Sequence, residues 1–91
     1  MGTGKMKPYT NIIESEDRII RKFDQNIDPE ELMWHRDERD REVTVVGETD
    51  WLFQLDNELP QPMKGIIRIP KQVYHRTIKG TGDLLISILE R

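Results

Sequence analysis

The chain contains two histidines, His35 and His75, and an aspartate follows the first of them at position 37. Side chains alternate between the two faces of a strand, so an extended segment would place His35 and Asp37 on the same face. Two imidazoles and a carboxylate that meet at one point form the facial triad that holds non-haem iron and related metals. We therefore predict a metal site at His35, Asp37 and His75. The competing interpretation is that the charged residues of 36–42 form a solvated edge strand.

The segments that must position these residues have the pattern of an all-β domain. Short β-branched or alternating runs are separated by turns rich in glycine and proline, at spacings of about 8–12 residues that are typical of a sandwich or barrel. The predicted strands are 42–46, 51–55, 66–69, 73–79 and 84–89. Val43 and Val45 continue the alternation that begins at His35, and their apolar character predicts that this face points inward.

The N-terminal region is less clearly patterned. Residues 1–8 are small and polar and are predicted to form a flexible leader, which leaves 9–91 as a single domain. The apolar residues of 12–27 fit a helical stripe, but 19–23 would fit a strand equally well. Periodicity does not decide between the two.

A short helical turn is predicted just after this region. Asp28 is a favoured N-cap residue, Pro29 occupies the first helical position, and Glu31 stands at the capping-box position. We expect the turn to end near Met33.

The order of these residues resembles the two conserved motifs of the cupin superfamily. The first motif runs from a pair of histidines through an acidic residue to a glycine, and the second runs from a glycine through a proline to a histidine. The matching residues are His35-Arg36-Asp37, Asp40 and Gly47 for the first motif, and Gly65, Pro70 and His75 for the second. The resemblance covers 34–90 and implies a small antiparallel β-barrel of the jelly-roll type.

The resemblance also implies a divalent metal, such as iron, manganese, nickel or zinc, held by His35, Asp37, Asp40 and His75. The chain departs from the motifs in that Asp37 replaces the second histidine and Asp40 stands where glutamate is usual, with Glu42 as a competing choice. Cupins include dioxygenases, isomerases, epimerases and storage or regulatory proteins, so the resemblance implies a fold and not a reaction.

Four further residues are candidates for binding a ligand. Arg41 and Arg76 would hold an anionic group at the mouth of the barrel, because guanidinium presents a planar fork to a carboxylate or phosphate. Trp51 and Phe53 would line an apolar pocket and stack on a ligand. The competing interpretations are a surface position for both arginines and a core position for both aromatic residues.

Composition excludes several classes of protein. The 91 residues carry a net charge of −3 with acids and bases interleaved, so no basic footprint for nucleic acid is present. The absence of cysteine removes disulfides, zinc thiolates and thiol catalysis. No apolar run approaches the roughly 18 residues of a membrane helix, and no signal-peptide core is present, so we expect a cytoplasmic protein without a membrane partner.

The sequence thus favours a small metal-dependent protein that binds a small polar or anionic molecule, with oxygenation or isomerisation as the natural reactions. It leaves open whether the chain is an enzyme. The alternatives are a metal-free module that binds a sugar or similar ligand, an assembly subunit, and a histidine general base acting on a sugar. Because a barrel this small leaves open strand edges, we also expect a homodimer.

Overall fold

Eight antiparallel strands and one short 3-10 turn make up residues 9–90, which are the residues that this computed structural model describes. The predicted leader at 1–8 and the last residue, Arg91, lie outside the described residues. The elements are β1 (Tyr9–Glu14), β2 (Arg18–Phe23), the 3-10 turn (Pro29–Glu31), β3 (Arg41–Val45), β4 (Leu52–Leu55), β5 (Gln61–Pro62), β6 (Ile66–Ile69), β7 (His75–Ile78) and β8 (Leu84–Glu90). The predicted all-β architecture is confirmed.

The strands form two sheets. The larger sheet has the order β1-β2-β8-β3-β6, and the smaller has the order β5-β4-β7. In the larger sheet β8 is central, with β2 and β3 on its two sides; the register places Ile88 opposite both Ile19 and Val43. Alternation along the strands then decides which side chains are buried, since Val43 and Val45 are buried while Thr44 between them is exposed.

The core draws apolar side chains from both sheets, so the two sheets pack against each other as a sandwich. Its buried members are Phe23, Val43, Val45, Trp51, Phe53, Met63, Ile67, Ile69, Leu84, Ile86 and Ile88. Trp51 is completely buried, and its indole N–H donates to the carbonyl oxygen of Gly82 at 2.9 Å. A buried indole needs such a partner for its N–H.

The sheets are not closed into a barrel. Closure would require hydrogen-bonded ladders to join the edges of the two sheets. Among residues 9–90 the isolated bridge between His35 and His75 is the one such link outside the named strands. The edge strand β5 has two residues, and one of them is Pro62, which has no N–H to donate to a ladder.

The ambiguous region 9–27 folds as a β-hairpin. Strands β1 and β2 pair with each other, and β2 also pairs with β8, which comes more than 60 residues later in the chain. The helical alternative for 12–27 is therefore wrong, because long-range pairing overrides the local stripe. The predicted strand ends agree with the observed ends to within two residues, but the short strand β5 lies in a segment predicted to be a loop.

The predicted helical turn is confirmed as one turn of 3-10 helix. The Asp28 carboxylate accepts a hydrogen bond from the backbone N–H of Glu30 at 3.0 Å, which satisfies a free donor at the start of the turn. The turn ends at Glu31, two residues before the predicted end. No helix within 9–90 has the length and apolar character needed to cross a membrane.

Candidate metal centre

A cavity of about 350 Å³ lies between the two sheets and is lined by residues of both. This volume is near the lower end of the range for small-molecule sites, about 300–1,000 Å³. Most of its wall is apolar, including Phe23, Val43, Phe53, Met63, Ile67, Ile69, Ile86 and Ile88. The polar groups in the wall are few, so those that are present determine what the cavity can recognise.

His35, Asp37 and His75 form the main polar cluster in this wall. Each offers one ligand atom, and the three atoms lie within 4.8 Å of one another. The backbone brings them together, because the His35 N–H donates to the His75 carbonyl oxygen at 3.0 Å and the His75 N–H donates back at 2.8 Å. This bridge connects the segment before β3 to the first residue of β7, so that two residues 40 positions apart face each other.

Both imidazoles are oriented by backbone carbonyl groups. Nδ1 of His35 is 3.1 Å from the Met33 oxygen, and Nδ1 of His75 is 2.9 Å from the Val73 oxygen. A carbonyl oxygen accepts only, so in the neutral imidazoles these contacts place the proton on Nδ1 and leave the lone pair on Nε2. A hydrogen bond of this kind orients a metal-binding histidine and increases its basicity.

The Asp37 carboxylate lies between His75 and Arg41. Its Oδ2 is 3.3 Å from Nε2 of His75, and its Oδ1 is 3.4 Å from Nη1 of Arg41. Although Oδ2 is buried and close to His75, the geometry is not that of a hydrogen bond, and the atom has no hydrogen-bond partner. Two atoms that bind one ion at about 2.1 Å each are separated by about 3 Å. The spacing therefore fits two ligands of a common metal ion.

The charges of the cluster favour the deprotonated forms that bind metals. Burial by itself raises the pKa of Asp37, but the proximity of His75 and the positive charge of Arg41 outweigh it, and the net effect is a pKa below the ordinary value. The pKa of His35 is also lowered, mainly because its ring is desolvated against the cavity wall, although the residue as a whole is exposed. The nearby His75 and Arg41 add to this lowering.

Two of the four predicted ligand-binding residues, Arg41 and Phe53, line the cavity. Arg41 is held by two carboxylates, since its Nη1 contacts Asp37 and its Nη2 is 3.3 Å from Oε1 of Glu90. Its Nε is buried without a hydrogen-bond partner. The Phe53 ring lies 5.7 Å from the His75 ring, centroid to centroid. Arg41 thus orients Asp37, and Phe53 packs beside His75.

The other predicted site residues do not line the cavity. Asp40 is exposed, and its Oδ1 accepts a hydrogen bond from the backbone N–H of Lys71 at 2.8 Å, outside the His35, Asp37 and His75 group. The guanidinium of Arg76 lies over the Trp34 ring at 4.9 Å. Trp51 is a core residue. The structure therefore brings together three of the four predicted metal ligands.

Sequence reasoning missed two charged residues of the cavity wall: Glu31 of the 3-10 turn, which it assigned only a capping role, and Arg21 of β2. A signal for Arg21 was present in the alternation Ile19, Arg21, Phe23, which places the arginine on the same strand face as two apolar residues. It was not usable while the region remained undecided between helix and strand.

No protein-family model matches the chain, and no curated protein matches it significantly. Solved structures do match. A cupin domain from Bordetella pertussis Tohama I has a TM-score of 0.60 and 18% identity, over 97% of this chain and 99% of that one. An RmlC-like cupin with a double-stranded β-helix fold from Methanocaldococcus jannaschii has a TM-score of 0.65 and 15% identity, over 97% and 82%.

A structure from a study of DMSP lyases has a TM-score of 0.68 and 20% identity over 81% of this chain, which spans 37% of the length of that protein. At these identities the matches concern the fold. They agree with the two antiparallel sheets of this chain. The chain has the cupin fold.

Proposed function

We propose that this protein binds one divalent metal ion through His35, Asp37 and His75, and that a small polar or anionic molecule binds beside the ion in the cavity. The observation that carries the proposal is the buried Oδ2 of Asp37, which has no hydrogen-bond partner and lies 3.3 Å from Nε2 of His75. A buried carboxylate oxygen without a partner is costly. A metal ion shared with the two imidazoles would remove that cost.

The donor set suits iron, manganese, nickel or zinc. Two imidazole nitrogens and one carboxylate oxygen leave coordination positions open for a ligand or water. When bound, such an ion supplies Lewis-acid polarisation of a ligand oxygen and lowers the pKa of bound water. The chain's own contribution is orientation, because backbone carbonyls fix both imidazoles and Arg41 holds Asp37.

The reaction classes that this proposal favours are metal-dependent oxygenation and isomerisation of a small molecule. The largely apolar wall lowers the local dielectric constant, which strengthens electrostatic interactions inside the cavity. The cupin fold hosts enzymes, since the neighbouring structures include one from a study of lyases. The fold alone does not select a reaction.

A metal-free general base at His75 has less support. His75 is 3% exposed, its Nδ1 faces the Val73 oxygen and its Nε2 faces Asp37. Both nitrogens are thus directed at protein groups, and neither has the free approach to a substrate that a general base needs. Metal-free binding would satisfy Oδ2 of Asp37 only with a ligand that donates a hydrogen bond to it.

The test is the metal content of protein expressed without a histidine tag and purified without chelator, in medium supplemented with iron, manganese, nickel and zinc. We expect close to one metal ion per chain. His35→Ala, His75→Ala and Asp37→Asn should each weaken metal binding by at least about tenfold, because each removes a ligand.

Asp40→Asn is the matched control. It makes the same chemical change as Asp37→Asn three residues away, at an exposed carboxylate outside the cluster. We expect it to retain the wild-type metal content. A wild-type protein with only traces of metal would contradict the proposal, and so would metal that survives both histidine substitutions.

A further inference from the structure

Arg21 is a charged residue on the apolar face of the larger sheet. It lies between Ile19 and Phe23 in the inward-facing alternation of β2, it is opposite Ile86 on β8, and it is only 8% exposed. Burying a charge among apolar side chains is unfavourable unless the charge is paired. An isoleucine or leucine at this position would continue the core, so the presence of arginine calls for a reason.

The contacts of Arg21 hold its guanidinium in place without neutralising it. Its Nε donates to the side-chain oxygen of Asn11 at 2.9 Å, and the guanidinium carbon lies over the Tyr9 ring, 3.7 Å from the centroid. None of the ion pairs formed within residues 9–90 includes Arg21. The side chain lines the same cavity as the histidine cluster. It is therefore a fixed cation in the cavity wall without a carboxylate of its own.

The charge balance around the cavity points to an anionic ligand. Arg41 is held between Asp37 and Glu90, so that these two carboxylates and the two arginines cancel one another overall. Glu31 also lines the cavity, but it is exposed and its charge is screened by solvent. A bound divalent ion would add two positive charges, of which a ligand with one carboxylate would offset one and a ligand with two carboxylates would offset both.

We propose that Arg21 binds a carboxylate group of the cavity's ligand, so that this protein acts on a small carboxylic acid whose other end faces the metal centre. The second half of this inference rests on the proposed function, whereas the role of Arg21 does not. With Nε already bonded to Asn11, the remaining N–H groups of the guanidinium offer a carboxylate a bidentate contact. A single guanidinium without a carboxylate partner matches a singly charged carboxylate better than a doubly charged phosphate.

The electrostatics of Arg21 agree with this role. Burial lowers the pKa of its guanidinium, and the charge of Arg41 acts in the same direction, although Tyr9, Asp37 and Glu90 oppose the shift. Burial thus makes the unliganded cation less favourable than it would be in water. An incoming carboxylate would stabilise it in a setting where the interaction is little screened.

The test uses three dicarboxylates of increasing length, malonate, succinate and glutarate, with inorganic phosphate as a second arm. Binding is measured by calorimetry on metal-loaded and on chelator-treated protein. Arg21→Gln should weaken the tightest dicarboxylate by at least about tenfold, the loss expected for a hydrogen-bonded charge pair. Arg21→Lys should weaken it by less, because the charge remains and the fork is lost.

Lys22→Gln is the matched control. It removes the same charge from the next residue of β2, whose half-exposed side chain pairs with Asp83 at 3.4 Å and does not line the cavity. We expect dicarboxylate affinity within about twofold of wild type. In the wild-type protein, the nitrogen NMR signal of Nε of Arg21 should shift when the dicarboxylate is added, which tests the contact without any substitution.

Three results would overturn the assignment of Arg21: equal dicarboxylate affinities for Arg21→Gln and Lys22→Gln, no binding of any dicarboxylate below about 10 mM, or no shift of the Arg21 signal. If phosphate bound more tightly than all three dicarboxylates, the identification of the ligand's anionic group as a carboxylate would be wrong. If the protein holds no metal but dicarboxylate binding still depends on Arg21, the proposed metal function fails and the anion site stands. If metal binds normally and substitution of Arg21 does not change dicarboxylate affinity, the anion site fails and the proposed metal function stands.

Discussion

Asp37 joins the His35, Asp37 and His75 cluster to the rest of the fold, and replacing it with asparagine tests whether the proposed metal site is held in place before metal binds. Asparagine keeps the size and shape of the side chain and removes its charge. The side chain is 13% exposed and that of Arg41 is 17% exposed, so their contact at 3.4 Å is weakly screened by solvent. The substitution should destabilise the metal-free protein at neutral pH.

The expected loss of stability depends on the ion pairs that Arg41 keeps after the substitution. Removing one member of a buried ion pair costs about 3–5 kcal/mol when the other charge is left alone. Here Arg41 keeps Glu90 at 3.3 Å, so its charge is not left alone. Neither member of the Asp37 pair is completely buried. We therefore expect Asp37→Asn to lower the free energy of unfolding by about 1–3 kcal/mol.

The pH dependence gives the prediction its sign. Because the pKa of Asp37 in the folded protein lies below its ordinary value, the carboxylate contributes stability above the unfolded-state pKa of about 3.9. That contribution is lost as pH falls through the lowered folded-state pKa. The difference in the free energy of unfolding between wild type and Asp37→Asn should thus have its full value at pH 7 and should disappear in strong acid.

Urea unfolding in the presence of a chelator, at pH 7 and at a series of acidic values, measures both quantities. Asp40→Asn is again the control, because its carboxylate is exposed and asparagine can still accept the hydrogen bond from Lys71; its stability should stay within about 0.5 kcal/mol of wild type. An Asp37→Asn protein as stable as wild type at pH 7 would refute the argument that Arg41 and Asp37 preorganise the site. A difference that persists in acid would show that shape, and not charge, is responsible.

Three further predictions concern other parts of the molecule. Gly80→Ala should lower stability by about 1–3 kcal/mol in urea unfolding, because its Cβ would collide with the Asp50 carboxylate and lie 2.7 Å from the backbone nitrogen of Trp51; unchanged stability would contradict this close approach. The lowered pKa of His35 means that protons should displace metal only below the ordinary histidine range near 6.5. Dialysis at a series of pH values followed by metal analysis should show this, and metal loss that begins above about pH 7 would contradict it. Light scattering at micromolar concentration should report about twice the chain mass, because the edge strand β6 presents Ile66, which is 60% exposed; a monomer at all concentrations would refute the dimer.

Local patterns in the sequence were sufficient to predict the positions of most of the strands. The alternation in 42–46 and 51–55 and the turn residues between them predict β3 and β4, because a strand's own side chains report which of its faces is buried. In 73–79 the alternation of a strand places Thr77 on the same face as His75 and Tyr74 on the opposite face. Thr77 lines the cavity, and Tyr74 is 44% exposed.

The tertiary structure decided where a regular pattern stops. Alternation from His35 would place Arg39 on the same face as Asp37 and Arg41, yet Arg39 is exposed. Residues 38 and 39 bend, and regular pairing begins only at Arg41. The contact that aims His35 is its bridge to His75, which lies 40 residues later, and no local pattern contains that information.

The N-terminal hairpin also separates what the local sequence predicts from what the tertiary structure decides. Residues 12–27 carry enough apolar side chains for either a helix or two strands, and pairing of β2 with β8 decides in favour of strands. Only that pairing turns Arg21 toward the cavity. Sequence by itself therefore determined which residue types were available for a metal centre and which segments were extended. Tertiary structure decided which of those residues meet, because the free energy of long-range strand pairing and burial depends on partners distant in the chain.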